Sequence, residues 1–502
     1  MAERDRKAVI AIVGGGLSGT LVAAHLLSRK LTRDAAARAR PLRVVIVERF
    51  QGKLARGVAY STNDRVHLLN VPACNMSAFP EDSDHFLRWC QRNNISATKD
   101  TFVPRMLYGD YLEDVLQEAE DSANAGNSLE RITDEVTAID ADEQADCAML
   151  RLKHRGALYA DRVVIAPGNY APAHPHIPGA TDFYAASPAY IRDPWKKDAL
   201  STLDLSCPIL LIGTGLTMVD VALSLRTRGL RARLFAVSRH GLLPQSHREA
   251  QPIPSFDFSA DDVTTIRALC RRLRERIERA HDDGYDWRAC VNALRPLTQK
   301  LWQSLDAVER RRFLRHVRPR WEVHRHRMAP EVGAHIGDLI SDGQLLLHAG
   351  RITSFREVEG EVEVTFRERG CEGINHVLQR VGYVINCTGP ASDVRRIDDP
   401  LVRHLVEYNY ATPDELGLGI EVSDNGSLIN KLGDASSTLF TLGPWCKPLL
   451  WETTAAPEIR AQAAALADHL ASSLGAIPAS SRIPLTEAST VPREQSVYDW
   501  VI

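Results

Sequence analysis

Residues 9–19 read Val-Ile-Ala-Ile-Val-Gly-Gly-Gly-Leu-Ser-Gly, and this stretch decides the fold. The β-branched run at residues 9–13 predicts a strand that is buried on both faces. The glycines that follow match the pattern G-x-G-x-x-G, and residues 20–28 are apolar and favour a helix. A strand, a glycine turn and a helix in this order predict a dinucleotide-binding βαβ unit.

Each glycine of this first loop has a separate task. Gly14 permits the tight turn, Gly16 lets the backbone approach a pyrophosphate, and Gly19 lets the helix pack closely on the strand. Leu17 and Ser18 begin the helix, whose free N–H groups and partial positive charge favour phosphate binding.

A carboxylate follows the next predicted strand. Residues 43–47 form a second β-branched run, which ends in Glu48. In a dinucleotide-binding unit, an acid at this place accepts hydrogen bonds from ribose hydroxyls. Glu48 is therefore a predicted ribose ligand.

A second loop of the same kind lies about 200 residues further on. Residues 208–212 predict another buried strand, and the loop that follows contains Gly213 and Gly215, with Leu216 and Thr217 at the helix start. Met218 replaces the third glycine, so helix and strand should pack less closely there. Two loops this far apart predict two cofactors, one flavin and one nicotinamide dinucleotide.

The strand after the second loop ends without an acid. Residues 233–237 lead into Ser238, Arg239 and His240. A hydroxyl, a guanidinium and an imidazole suit the 2′-phosphate of NADPH better than the free ribose of NADH. The alternative is that Arg239 belongs to an ordinary surface turn.

Two similar segments, residues 162–168 and 383–390, each read as a strand that ends in a small-residue turn with glycine. We interpret them as strands that bracket an inserted domain. The predicted fold is α/β, with two Rossmann-like three-layer dinucleotide-binding domains, the second inserted in the first. The predicted ranges are 1–197 and 351–502 for the FAD-binding domain and 198–350 for the NADPH-binding domain, with a helical insertion at about 256–320.

The predicted insertion is rich in arginine and ends near a cluster of basic side chains. Arg310, Arg311 and Arg312 are most simply the solvated face of a helix. His324, Arg325 and Arg327 beside a tryptophan can form an anion or substrate pocket, or equally a structural network of ion pairs.

The composition excludes several classes of protein. There are 61 Lys+Arg against 64 Asp+Glu, so no net charge recruits nucleic acid or an anionic membrane. Nine cysteines without a Cys-x-x-Cys pair argue against a zinc site and a redox-active disulfide, and favour a reducing cytoplasm. The only long apolar stretch, residues 8–27, is interrupted by three consecutive glycines and does not read as a membrane span.

Further motifs run along the chain. They are Gly57-Val58-Ala59-Tyr60-Ser61, His67 to Ala73 with Met76 and Ser77, Val103-Pro104-Arg105, Tyr108-Gly109, Tyr111-Leu112, Gly213 to Asp220, His324 to Met328, and Trp451 to Ala455. With the two glycine loops, these motifs resemble the bacterial FAD/NAD(P)-binding oxidoreductase family, which is distantly similar to flavin-dependent N-hydroxylating monooxygenases.

The resemblance implies further FAD-binding residues. The stretch 57–73 would wrap the isoalloxazine, with Asn70 bonded to a flavin edge and Met76 on a ring face. The helix near Thr453 would direct its dipole at the flavin pyrimidine. Pro444 stands where many flavoproteins have an aspartate. The other residues implied as FAD ligands are Ala59, Tyr60, Arg105, Gly389 and Gly443.

The function implied is FAD-dependent NADPH oxidation, most simply by a monooxygenase that hydroxylates an amine or amino acid with molecular oxygen through a flavin C4a-hydroperoxide. No F-x-G-x-x-x-H fingerprint occurs between Gly168 and Trp195, which disfavours Baeyer–Villiger and related subclasses. Two alternatives stay open: a dehydrogenase or electron-transfer reductase without oxygen transfer, and a non-catalytic flavin-binding redox sensor. No catalytic side chain can be named, and no metal site is predicted.

Overall fold

The structure is a computed structural model that describes residues 7–29, 40–253, 265–370 and 376–475 of the 502-residue chain. The first part of the predicted helical insertion, residues 256–264, lies outside these ranges. The strands are β1 Ala8–Val13, β2 Leu42–Glu48, β3 Ser128–Thr133, β4 Val136–Asp142, β5 Cys147–Leu152, β6 Gly156–Ala160, β7 Arg162–Ile165, β8 Tyr190–Ile191, β9 Ile209–Ile212, β10 Leu234–Ser238, β11 Leu345–Val358, β12 Glu361–Glu368, β13 His376–Val381, β14 Tyr383–Asn386, β15 Ser427–Ile429 and β16 Ala435–Thr441. The helices are α1 Leu17–Leu27, α2 Gly57–Tyr60, α3 His85–Arg92, α4 Arg105–Asp121, α5 Thr181–Ala186, α6 Leu216–Thr227, α7 Ile266–Asp282, α8 Trp287–Leu294, α9 Thr298–Ser304, α10 Ala307–Arg312, α11 Arg318–Arg325, α12 Pro330–Ser341, α13 Pro400–Glu407, α14 Lys447–Leu450 and α15 Ala456–Ser473.

The first sheet is built around the strand that precedes the first glycine loop. Within the described chain its order is β15-β16-β7-β1-β2-β3, and β1 pairs in parallel with both β2 and β7. Every residue of β1 is buried, which explains why the strand carries only apolar side chains. Helix α1 leaves the end of β1 and packs against α15, so the C-terminal part of the chain completes this core.

The second sheet repeats this plan around β9. Its order in the described residues is β13-β12-β11-β10-β9-β14-β8, and β9 pairs in parallel with β10 and β14. Helix α6 follows β9 as α1 follows β1. All strands of the second sheet fall between β7 and β15 in the chain, which confirms the predicted fold class with one Rossmann-like unit inserted in the other.

The two similar segments do not bracket the insertion as expected. Strand β7 lies beside β1 in the first sheet, whereas β14 lies beside β9 in the second. They occupy the same position in two different sheets, and their resemblance reflects this shared environment. In each sheet the central strand needs a parallel neighbour on both sides, and a short apolar strand with a small-residue turn fills that place.

The second sheet also extends further along the chain than expected. The predicted boundary at residue 350 falls inside β11, which pairs in parallel with β10 and then antiparallel with β12. Strand β14 is the last strand of the second sheet in chain order, so the chain returns to the first sheet after Asn386.

A helical segment separates β10 from β11. Its described part comprises α7 to α11, with a π-helical segment at Phe313–Val317. It ends at Arg325, close to the predicted limit of residue 320. Arg311 and Arg312 pair with Glu415 and Glu309 and are half-exposed, as expected of a solvated helix face. Arg310 differs from this expectation, because its guanidinium lies over the ring of Trp302 and donates to the carbonyl of that residue at 3.2 Å. Neither these helices nor the others in the described ranges have the length and apolar character needed to cross a membrane.

Candidate functional site

The first glycine loop leaves no room for a side chain at two of its positions. Gly14 has a φ of +103°, and a Cβ there would collide with the carbonyl oxygen of Ala166, just after β7. A Cβ on Gly19 would collide with the carbonyl of Gly14 and lie 2.9 Å from a methyl of Ile12. The turn and the close packing of α1 on β1 therefore both require glycine.

The N-terminus of α1 is not capped by a side chain. Gly16 is its N-cap residue, and no side-chain oxygen accepts a hydrogen bond from the first turn. A Cβ on Gly16 would lie 3.4 Å from the Cα of Gly57, so only a residue without a side chain leaves the space beside the helix start free. Free N–H groups at a helix start are suited to an anion such as a pyrophosphate, and these residues fit the group.

Glu48 anchors this loop from the end of β2. One carboxylate oxygen accepts a hydrogen bond from the N–H of Gly15 at 2.8 Å, and the other accepts from the N–H of Phe50 at 2.9 Å. Each oxygen keeps a further lone pair. The carboxylate is therefore positioned to hold the loop and still accept hydrogen bonds from a ribose.

An open cleft runs along the first loop, with an empty volume of about 1110 Å³ that includes its mouth. Its lining includes these residues proposed from the sequence: Gly14, Gly16, Leu17, Ser18, Glu48, Ala59 and Tyr60. It also includes side chains that sequence reasoning missed: Arg49, Phe50, Lys53, Asp134, Tyr170 and Asp399. Arg49, Phe50 and Lys53 follow Glu48 closely in the sequence, which was a signal for them. Asp134, Tyr170 and Asp399 are distant in the chain and reach the cleft only through the tertiary fold.

Seven residues proposed as FAD ligands do not line this cleft. Gly19 packs α1 on β1, and Gly443 and Thr453 lie behind the C-terminal end of the cleft. The other four are Met76, Asn70, Gly389 and Arg105. Met76 is fully buried in the core of the first unit, and the carbonyl of Asn70 lies 3.1 Å from Nε2 of His247. Gly389 follows β14 and therefore lies near the second loop. Arg105 is the fourth, and its position has a separate reason.

Arg105 joins the two units. Its Nη1 lies 2.7 Å from Oδ2 of Asp220 on α6, and its Nε donates to the carbonyl of Leu68 at 3.0 Å. Both charged side chains are largely buried. The carboxylate of Asp220, 115 positions away in the chain, thus engages the guanidinium that we expected to contact FAD.

The C-terminal end of the cleft is held by one glutamine. The N–H of Gly443 donates to Oε1 of Gln462 at 3.0 Å, and the hydroxyl of Thr453 donates to the carbonyl of Gly443 at 3.0 Å. Thr453 is fully buried, whereas Pro444 and Thr454 line the cleft. Gly443 and Thr453 therefore shape this end of the cleft.

The second loop has the same construction as the first. Gly213 has a φ of +111°, and a Cβ there would lie 2.7 Å from the carbonyl oxygen of Cys387. Gly215 caps α6 without a side-chain hydrogen bond, and a Cβ there would meet no atom within 4 Å. Leu216 and Thr217 begin the helix, and Met218 packs in the core. This loop too is open to a phosphate.

Of the three residues expected to bind a 2′-phosphate, Ser238 has protein partners. Its hydroxyl lies 2.9 Å from the hydroxyl of Thr214 and accepts from the N–H of Gly241 at 3.0 Å. Arg239 is exposed, and its side chain has no hydrogen bond or ion pair with another described residue. Ser238 therefore holds the turn, while the guanidinium of Arg239 is available to a ligand.

Two further arginines surround this turn. Nδ1 of His240 contacts the guanidinium of Arg369. Partial burial lowers the pKa of His240, and the charges of Arg369, Arg239 and Arg320 lower it further. His240 therefore stays neutral to a lower pH than a free imidazole and contributes less charge to the binding of a 2′-phosphate. We call Arg239, Arg320 and Arg369 the arginine cluster; only the first was proposed from the sequence.

The basic cluster near residue 325 is engaged by protein groups. Arg325 lies 3.1 Å from Glu452 and 3.5 Å from Glu458. Arg327 donates to the carbonyl of His324 at 2.8 Å. Burial alone would raise the pKa of Glu452, but the charges led by Arg325 hold it below its ordinary value. These contacts favour the ion-pair network over the anion pocket.

The comparisons with known proteins agree with this construction. Residues 11–170 match a protein family described as FAD-NAD(P)-binding. No curated protein sequence matches the chain.

Several solved structures share the fold at low sequence identity. Ornithine hydroxylase from Pseudomonas aeruginosa superposes with a TM-score of 0.59 at 15% identity, over 93% of this chain and 100% of that one. L-lysine 6-monooxygenase from Pseudomonas syringae gives 0.58 at 16% identity, over 93% and 99%. The cadaverine monooxygenase of Erwinia amylovora gives 0.57 at 14% identity, over 95% and 98%. Residues 11–170 are thus similar to the FAD-NAD(P)-binding family, and the chain shares its overall fold with the ornithine, lysine and cadaverine enzymes.

Proposed function

We propose that the protein is an FAD-dependent NADPH oxidoreductase that hydroxylates the nitrogen of an amine or amino acid with molecular oxygen. The observation that carries the proposal is the pairing of two uncapped glycine loops in one chain, each with a glycine at a φ above +100°. The fold shared with the ornithine, lysine and cadaverine enzymes supports the choice of an amine.

The chain's own residues bind and orient the cofactors in this proposal. When bound, FAD supplies hydride acceptance from NADPH and the reduction of oxygen. The helix starts at Gly16 and Gly215 would hold the two pyrophosphates, and Glu48 would hold a ribose. The ion pair between Arg105 and Asp220 joins the two units and would fix the position of one cofactor loop relative to the other.

Oxygen transfer is tested by a two-step reaction. The protein is reduced with NADPH without oxygen and then mixed with oxygenated buffer, while the visible absorption is followed. We expect an absorbing species that is neither reduced nor oxidised flavin, followed by an N-hydroxylated product when the correct amine is present. Direct reoxidation, with all electrons recovered as hydrogen peroxide for every amine tried, would favour the alternative of a reductase. A protein that NADPH does not reduce would favour a sensor.

The cofactor preference should depend on Arg239. A 2′-phosphate carries close to two negative charges, and an exposed guanidinium without a described partner can bind it through two parallel hydrogen bonds. We expect Arg239→Ala to lower kcat/KM for NADPH roughly 10- to 100-fold and to leave the value for NADH almost unchanged. Steady-state flavin reduction with each cofactor measures both values.

Arg351→Ala is the matched control, because Arg351 is an exposed arginine on β11 outside the arginine cluster. It should not change the ratio between the two cofactors. Equal use of NADPH and NADH by the wild type, or equal damage to both by Arg239→Ala, would show that Arg239 is only a turn residue.

A further inference from the structure

The helical segment contains a second cavity, which is separate from the cleft along the first loop. It lies between α7, α8, α9, α11, the π-helical segment and the residue that follows α14, and its empty volume of about 510 Å³ includes its open mouth. Its main walls are Leu269, Leu273, Leu301, Trp302, Trp321 and Trp451. We propose that this cavity binds an uncharged aromatic or branched aliphatic group of the substrate. The identification of the bound group as part of the substrate rests on the proposed function, whereas the binding of an apolar group to this cavity does not.

The polar atoms of the walls have partners in the protein. Nε1 of Trp302 donates to the carbonyl of Pro448 at 2.8 Å, and Nε1 of Trp321 donates to Glu452 at 3.2 Å. The hydroxyl of Thr298 donates to the carbonyl of Leu294 at 3.2 Å. A charged group in this cavity would lose its hydration without gaining these donors, so the chemistry selects an apolar occupant.

The aromatic rings form a rigid floor. The rings of Trp302 and Trp451 stack with centroids 4.8 Å apart, and Phe313 meets Trp451 edge-on at 4.9 Å. All three side chains are buried. Such a floor favours a flat or compact ligand group, because aromatic faces give large contact area at little cost in conformational entropy.

Trp451 connects this cavity with the cofactor cleft. Its φ of +56° is unusual for a tryptophan, and such a conformation persists only where the surroundings hold it. Thr454, three residues later, lines the cleft along the first loop. The segment from Trp451 to Thr454 thus lines both the cavity and the cleft. A group bound against Trp451 is therefore held close to the C-terminal end of the cleft.

Calorimetric titration of the FAD-loaded protein with 2-phenylethanol tests the proposal. We expect saturable binding at one site. Leu273→Trp places an indole in the cavity and should weaken the binding at least about tenfold. Ile277→Trp is the matched control, since Ile277 lies on the same helix one turn further and does not line the cavity; it should bind as the wild type does. No saturable binding by the wild type, or unchanged binding by a folded Leu273→Trp, overturns the proposal.

A second measurement covers the case in which Leu273→Trp does not fold. Cys270 lines the cavity, whereas Cys207 is a partly exposed thiol elsewhere. In the wild type, 2-phenylethanol should slow alkylation of Cys270 and not of Cys207, as mapped by mass spectrometry of peptides. Equal rates with and without the probe contradict the proposal. FAD content and NADPH oxidation, measured on the same preparations, report separately on the proposed function.

Discussion

Gly16→Val is expected to give a folded protein that purifies without flavin. Gly16 precedes an uncapped helix start in the cleft, and an added side chain would point toward Gly57, only 3.4 Å from its Cα at the first carbon. A branched side chain there occupies the space that a pyrophosphate needs and blocks hydrogen bonds from the helix N–H groups. Because charge-assisted hydrogen bonds contribute about 1.5–3 kcal/mol each, loss of two weakens FAD binding on the order of 100-fold or more. The flavin absorbance per mole of purified protein measures the effect.

Gly215→Val is the matched control for this variant. It makes the same change at the start of α6, where a Cβ meets no other atom within 4 Å. We expect it to retain FAD and to lose reduction by NADPH. If Gly16→Val keeps its full flavin content, the assignment of the first loop to FAD is wrong. If Gly215→Val loses flavin as well, the two loops do not serve different cofactors.

Arg325→Ala is expected to cause the largest loss of stability. Arg325 is buried against the carboxylates of Glu452 and Glu458, which are themselves almost fully buried. Removing the guanidinium leaves the buried carboxylate of Glu452 without its ion pair, whereas Glu458 keeps Arg295 at 2.5 Å. Breaking a buried ion pair in this way costs about 3–5 kcal/mol. Denaturant unfolding followed by circular dichroism should show the loss, while the Michaelis constant for NADPH should stay nearly constant.

Arg311→Ala provides the comparison. It removes an arginine of the same helical segment whose ion pair with Glu415 is half-exposed, and such pairs contribute about 1 kcal/mol or less. The stability of this variant should therefore be close to that of the wild type. A raised Michaelis constant with unchanged stability in Arg325→Ala would support the anion pocket that the sequence also allowed.

Some parts of the site could be predicted because they depend on short stretches of chain. Gly14 and Gly213 adopt a backbone conformation that other residues rarely adopt, so glycine at these positions marks the turn itself. Glu48 ends its strand and accepts a hydrogen bond from the N–H of Gly15, whereas its role as a ribose ligand stays a prediction. In each of these cases, residues close in the chain carry the information.

Other parts are set by contacts between distant segments. From the sequence, Arg105 is predicted to bind a cofactor. In the structure, its guanidinium pairs with the carboxylate of Asp220. Similarly, Arg320 and Arg369 join Arg239 only when α11 and the end of the β11–β12 hairpin approach the second loop. No short stretch of the sequence shows that these residues will lie together.

The sequence by itself determined the fold class, the two glycine loops and their likeness to an FAD/NAD(P)-binding family, because glycine conformation and the β-branched strand pattern act over a few residues. Only the tertiary structure decided that β14 belongs to the second sheet, that Arg325 belongs to an ion-pair network and that Trp451 forms the floor of an apolar cavity. The physical reason is that burial and electrostatic pairing depend on which distant segments meet. The same arginine can bind a ligand or a buried carboxylate, and the fold alone supplies the carboxylate.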